Sequence, residues 1–136
     1  MDAAAWCRTV DDYLERCFAL ETPPRGGELA MLLGIAQSVL SKHFSYATDS
    51  KLIDYMRHKK LAYAASLLAG TDEPLPRIRR RAGFGSRSSF FREFREAYGV
   101  SPERYRGWSR HPAPAHRRRA ISDLKTPSRW PRGRFP

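Results

Sequence analysis

Twice along this 136-residue chain a short run of helix-spaced apolar residues halts at a glycine, and a second helical run begins within a few residues. The first instance is Glu28 to Leu33, then Gly34-Ile35-Ala36, then Gln37 to Ala47. The second is Pro76 to Ala82, then Gly83, then Ser86 as the N-cap of a run to Tyr98 with Phe90, Phe91, Phe94 and Tyr98 as its apolar positions. Glycine just past a helix adopts the left-handed turn that other residues resist, so the chain reverses within three residues. Two helices joined this tightly cross steeply, which is the spacing of a helix-turn-helix.

The segments between these pairs are helical too. Ala4 to Leu20 carries Trp6, Val10, Tyr13, Leu14, Cys17 and Phe18 at steps of three and four, with Asp11, Asp12, Glu15 and Arg16 on the opposite face. Thr22-Pro23-Pro24-Arg25-Gly26-Gly27 then breaks the pattern. Ser50 to Leu68 reads as one long helix with Ile53, Met56, Leu61, Ala64, Leu67 and Leu68 on its apolar side. At 1.5 Å per residue it spans roughly 28 Å, enough to bridge two packed units. Gly99 ends the helix that Ser86 starts, and Ser101-Pro102 opens a last short one through Arg106. No strand-like alternation interrupts the series. The expected fold is all-α: seven helices forming two helix-turn-helix subdomains, residues 4–49 and 70–108, joined by a bridging helix over 50–69. Residues 107–136 hold 5 prolines, 8 basic residues and one Asp, so 109–136 is expected to be a disordered basic tail.

Charge narrows the partner. Lys and Arg number 25 against 14 Asp and Glu, a net of +11. Residues 1–50 carry 4 basic and 7 acidic side chains, whereas residues 51–136 carry 21 and 7. A polyanion-binding surface is therefore expected mainly in the second half. Cys7 and Cys17 stand ten residues apart in one helix, which is neither metal-ligand spacing nor a disulfide framework, and they are expected to be buried thiols. No window approaches the ~18 apolar residues of a membrane span, and no basic stretch precedes an apolar one at the N-terminus. A soluble, cytoplasmic, nucleoid-associated protein without membrane contact is expected.

The residues of the second motif carry a resemblance. Ile78, Ala82-Gly83-Phe84, Ser86, Ser88, Phe90, Arg92, Phe94, Tyr98-Gly99-Val100-Ser101-Pro102 and Tyr105-Arg106 together resemble the signature of the AraC/XylS family of bacterial transcription regulators. The likeness extends over about residues 5–108, through Leu29-Ala30, Leu33-Gly34, Leu40, Lys42, Phe44, Tyr55, Lys60-Leu61, Ala64 and Leu67-Leu68. It implies a double helix-turn-helix that binds double-stranded DNA as a monomer, reading adjacent major-groove half-sites about one duplex turn apart, near 34 Å. It also implies RNA polymerase as a further partner and no cofactor.

Carried over position by position, the resemblance makes Gln37, Ser38, Ser41 and Lys42 the base-reading residues of the first recognition helix. It makes Arg87, Ser88, Phe91 and Arg92 those of the second. Arginine donates two bonds to guanine, serine pairs with several base edges, and an exposed aromatic ring meets a thymine methyl. Phe91 equally suits core packing beside Phe90, and both roles stay open. Arg57, Lys60, Arg95, Arg104 and Arg106 are assigned to phosphate, where contacts fix register without reading sequence.

Three positions depart from the family pattern. Asp49 stands where glycine usually follows the first recognition helix, and Ala36 replaces a serine N-cap, forfeiting roughly 1 kcal/mol. Arg79 stands in place of a small alanine between the two helices of the second motif. It is expected to snorkel out or to overpack the crossing, a cost of about 1–3 kcal/mol, so that Arg79→Ala should stabilise the fold. Within Arg77-Ile78-Arg79-Arg80-Arg81 it could also reach phosphate.

Catalysis is not expected. His43, His58, His111 and His116 lack metal spacing, and no nucleophile or acid–base arrangement is recognisable. DNA-repair methyltransferases with a similar double motif need more cysteines as zinc ligands than Cys7 and Cys17 supply. Two other readings stay open: a non-specific architectural DNA binder using the Arg77–Arg81 run and the tail, and the DNA-binding remnant of a longer regulator whose sensor domain was lost. Arg117-Arg118-Arg119 and the stretch from Arg129 to Arg134 are expected to add non-specific phosphate contacts.

Overall fold

The computed structural model describes residues 1–110, and among them there are seven helices and no strand. They are α1 (Ala3–Leu20), α2 (Gly26–Leu33), α3 (Gln37–Thr48), α4 (Leu52–Gly70), α5 (Leu75–Arg81), α6 (Arg87–Tyr98) and α7 (Pro102–Arg110). The expected tail over 109–136 lies outside the described residues from position 111 onward, and its first two positions belong to α7 instead. That last helix runs four residues past the expected Arg106 because Arg110 is anchored by Asp72 and the Thr71 carbonyl.

Local chemistry explains the boundaries. Asp2 caps α1 by accepting from the Ala5 N–H at 2.8 Å, and Ser86 caps α6 by accepting from Ser89 N–H at 3.1 Å. Ser101 accepts from the Arg104 N–H at 3.2 Å ahead of Pro102. Ala36 gives α3 no side-chain cap, as expected, and Asp49 takes the left-handed conformation at φ 57°. The two helix-turn-helix turns are built alike. Gly34 at φ 72° and Gly83 at φ 86° each follow a helix whose end is tied by a bond spanning five residues, Ile35 N–H to Ala30 C=O and Phe84 N–H to Arg79 C=O.

Two apolar cores form. Trp6, Val10, Leu14, Leu29, Leu40 and Phe44 build the first with Leu52, Tyr55 and Met56 from the start of α4. Leu61, Ala64, Ala65, Leu67 and Leu68 from the rest of α4 join Ile78, Phe84, Phe90, Phe94, Tyr98 and Tyr105 in the second. Cys7 and Cys17 are buried free thiols in the first core. At about 100° per residue, the positions α4 gives to the two cores lie roughly 150° apart around its axis. The expectation of one apolar stripe along the bridge is therefore corrected. Ile53, assigned to that stripe, falls between the two directions and is 64% exposed.

Candidate nucleic-acid interface

Each second helix of a pair presents a polar face because its apolar positions are consumed beneath it. In α3, Leu40, Phe44 and Thr48 are buried, which turns Gln37, Ser38, Ser41 and Lys42 outward, and all four are exposed. In α6, Phe90, Phe94, Ala97 and Tyr98 are buried, leaving Arg87, Ser88, Arg92 and Arg95 exposed. The two helices share one register fifty residues apart, with Leu40 and Phe44 in the places of Phe90 and Phe94. Gln37 and Ser41 also line a groove between the pairs, whose floor is Ile53, Arg57 and Lys60 of α4 and whose far wall includes Glu93 of α6. The groove thus lies between the start of α3 and Glu93 of α6.

The Gln37 side chain packs against the start of α2 as well as being exposed. A Cβ on Gly27 would meet its Oε1 at 3.2 Å and one on Gly26 its Nε2 at 3.4 Å, so the glycine pair opening α2 makes room for this amide. Phe91 is half-buried against the second core, with Phe90 edge-on at 5.8 Å and the Arg87 guanidinium 4.3 Å from its ring centre. The ring thus lies beneath Arg87 rather than standing out from the helix. Its π-cloud holds that cation at the exposed surface of α6.

The basic residues divide by what already holds them. Arg92, Arg95 and Arg104 are exposed and make no ion pair among the described residues. Arg57 pairs with Glu93 at 2.9 Å and Asp54 at 3.3 Å. Lys60 sits 4.3 Å over the Phe84 ring, and burial pushes its ammonium below the ordinary lysine range. Arg106 donates to the Leu68 carbonyl at 3.2 Å and the Thr71 carbonyl at 3.4 Å, closing the C-terminal end of α4. Two of its three guanidinium nitrogens, Nε and Nη2, are thus directed at backbone.

The arginine run of α5 is largely committed inward. Arg77 joins Glu21 and Glu73, Arg81 joins Glu73 and the Tyr63 hydroxyl, and Arg79 donates to the Phe84 carbonyl at 2.9 Å. Arg79 snorkels, as one of its two expected outcomes required, but it does so onto a turn that needs a donor. The expectation that it merely overpacks the crossing is corrected on that ground. Arg80 is the exposed member of the run. Sequence reading passed over Val39, 39% exposed, and Tyr46, 93% exposed, which flank the reading face of α3. The signal for Tyr46 was its place four residues after Lys42, one turn along the same side.

A family model described as a helix-turn-helix domain matches residues 29–107, more than half of the chain. The chain belongs to the AraC/XylS family. As an AraC/XylS domain it is 33% identical over 96 residues to the probable transcriptional regulator LumQ of Photobacterium leiognathi, covering 71% of this chain and 38% of that protein. It is 28% identical over 105 residues to the regulatory protein SoxS of Escherichia coli K12, covering 77% of this chain and 90% of SoxS. The chain thus spans well under half of LumQ and nearly all of SoxS. Among solved structures, the DNA-binding domain of AdpA, a global transcriptional factor in complex with a target DNA, superposes with a TM-score of 0.68 at 24% identity, covering 82% of this chain and 98% of that one. That likeness shows the fold, and the expected all-α double helix-turn-helix is the one observed. The AraC/XylS domain is a DNA-binding module of transcription regulators. None of its described helices is long and apolar enough to cross a membrane.

Proposed function

We propose that this AraC/XylS domain reads two adjacent major-groove half-sites as a monomer, with α3 in one and α6 in the other, and regulates transcription through that binding. The observation carrying this reading is the shared register of α3 and α6. Two helices fifty residues apart bury Leu40 and Phe90, Phe44 and Phe94, and Thr48 and Tyr98 at matching positions and expose Gln37 and Arg87, Ser38 and Ser88, and Lys42 and Arg92, so one chain holds two similar heads. Gln37, Ser38, Ser41 and Lys42 address the bases of one half-site, and Arg87, Ser88 and Arg92 those of the other. Phe91 serves from beneath, as the seat of Arg87. Arg95, Arg104 and Arg106, and Lys60 with Arg57 in the cleft, are the phosphate contacts. Residues 4–49 and 70–108 act as the two heads and 50–69 as the bridge.

The chain acts by binding rather than by catalysis, in the cytoplasm at the nucleoid, with RNA polymerase as the partner that converts occupancy into transcription. SoxS, which this chain covers over 90% of its length, is named a regulatory protein, which supports the regulatory reading. The non-specific reading loses support because Arg77, Arg79 and Arg81 are engaged within the fold. Selection from random duplexes is the test. A two-part motif with parts about one turn apart supports the reading. A specificity ratio near one against scrambled DNA, with affinity falling steeply in salt, overturns it.

A further inference from the structure

The turn of the second helix pair is seated on the first pair. A Cβ on Gly83 would lie 2.6 Å from Pro24 Cδ and 3.5 Å from Pro23 Cα, so the glycine backbone is pressed against the connector between α1 and α2. Lys60 Cε closes a third side at 3.6 Å. Neither main partner can yield by turning a side chain. Gly83 has none, and its φ of 86° is held by the bonds of the turn. Proline has a ring that fixes its own φ.

The other ties, two of them made through the bridge α4, are softer. Phe18 stacks on Tyr63 at 4.2 Å, Arg57 meets Glu93 at 2.9 Å, and Arg77 meets Glu21 at 3.3 Å. The last pair is exposed at both ends, and long charged side chains follow small shifts without losing their partners. A bridge of roughly 28 Å touching two separate cores would still let one head tilt against the other. The proline contact removes that freedom in one direction, since approach of the heads is stopped by backbone against ring.

We propose that Pro23 and Pro24 are spacing-determining residues: as a rigid stop under the Gly83 turn, they set the shortest half-site separation that the domain accepts. The inference rests on the two-half-site reading above. Changing the separation by one base pair moves a half-site about 3.4 Å along the duplex and about 35° around it. A seat already at van der Waals contact cannot follow a shortening of that size.

The test is a series of duplexes carrying the selected half-sites at successive one-base-pair separations, with each half-site alone as a reference. Wild type is expected to lose about tenfold or more in affinity when the separation is shortened by one base pair from its optimum. Pro23→Gly/Pro24→Gly, with folding checked by cooperative thermal unfolding, is expected to reduce that loss to under about threefold while binding a lone half-site as wild type does. Pro24→Ala removes Cδ with little change elsewhere, should flatten the profile in the same sense, and carries the test if the double variant fails to fold. An unchanged profile in the folded variants overturns the proposal. A wild type that binds one half-site as tightly as two overturns the two-half-site reading instead, and does so before any variant is made.

Discussion

The Arg79 guanidinium donates to the Phe84 carbonyl at 2.9 Å while the Phe84 N–H donates back to the Arg79 carbonyl at 3.0 Å, so the two residues close the second helix-turn-helix turn from both sides. The alanine usual at this place in the family can make only the backbone half of that pairing. Arg79→Ala is therefore expected to lower stability by about 1 kcal/mol, and Arg79→Met, which keeps the stem, by a similar amount. Thermal or urea unfolding of the two variants reads the effect. A higher midpoint in Arg79→Ala would return the residue to the status of an overpacked intruder.

Arg92 has the opposite profile: exposed, on the reading face, and without an ion pair among the described residues. Arg92→Ala should leave the unfolding midpoint where it is and cost about 1–3 kcal/mol of binding at the selected site, with relaxed base choice at one position. Equal losses on selected and scrambled DNA would make it a phosphate contact instead.

Phe91 links stability to reading. Truncating a half-buried ring should cost about 1–2 kcal/mol, less than the range for a fully buried phenylalanine. Phe91→Ala should also release Arg87 and weaken specific binding, whereas Arg87→Ala should weaken binding with stability intact. If Phe91→Ala binds normally once folded, the ring has no part in holding the arginine.

His58 gives a pH dependence. Burial, with Lys59 beside it, pushes its imidazolium pKa down to about 4. In the unfolded chain the same group titrates near 6.5. Between those values the unfolded state binds more protons, so stability falls as pH drops from about 6.5 toward about 4. Denaturation midpoints at pH 7 and pH 5 should differ more for wild type than for His58→Gln. Identical differences would place the acid sensitivity elsewhere.

What was legible in the sequence were the devices that act over a few residues. Gly34 and Gly83 as turns, Ser86 and Ser101 as caps, Asp49 in a left-handed position and the aromatic spacing of α6 all sit where their local chemistry put them. The resemblance supplied the pairing of those devices into two heads. What escaped depends on reach across the chain. Nothing near Arg106 in sequence announces the Leu68 carbonyl thirty-eight positions away, nor does Arg57 announce Glu93. Long cations have enough reach to serve the fold or the ligand, and composition alone cannot tell which. Ile53 escaped for another reason, because α4 serves two cores in different directions and single-stripe periodicity misassigns the residue between them.

That divided helix works like a crankshaft, with two throws set at a fixed angle on one shaft. Its length is an angular coordinate as much as a distance. Adding or deleting one residue between Met56 and Leu61 would turn one head about 100° relative to the other while shifting it only about 1.5 Å. Arg57, His58, Lys59 and Lys60 fill that stretch and none is fully exposed, so a one-residue insertion or deletion there would unseat the Gly83 turn and break the Arg57–Glu93 pair. The reading frame of the bridge, in the helical sense, is thus as much a part of the recognition code as the side chains that touch the bases.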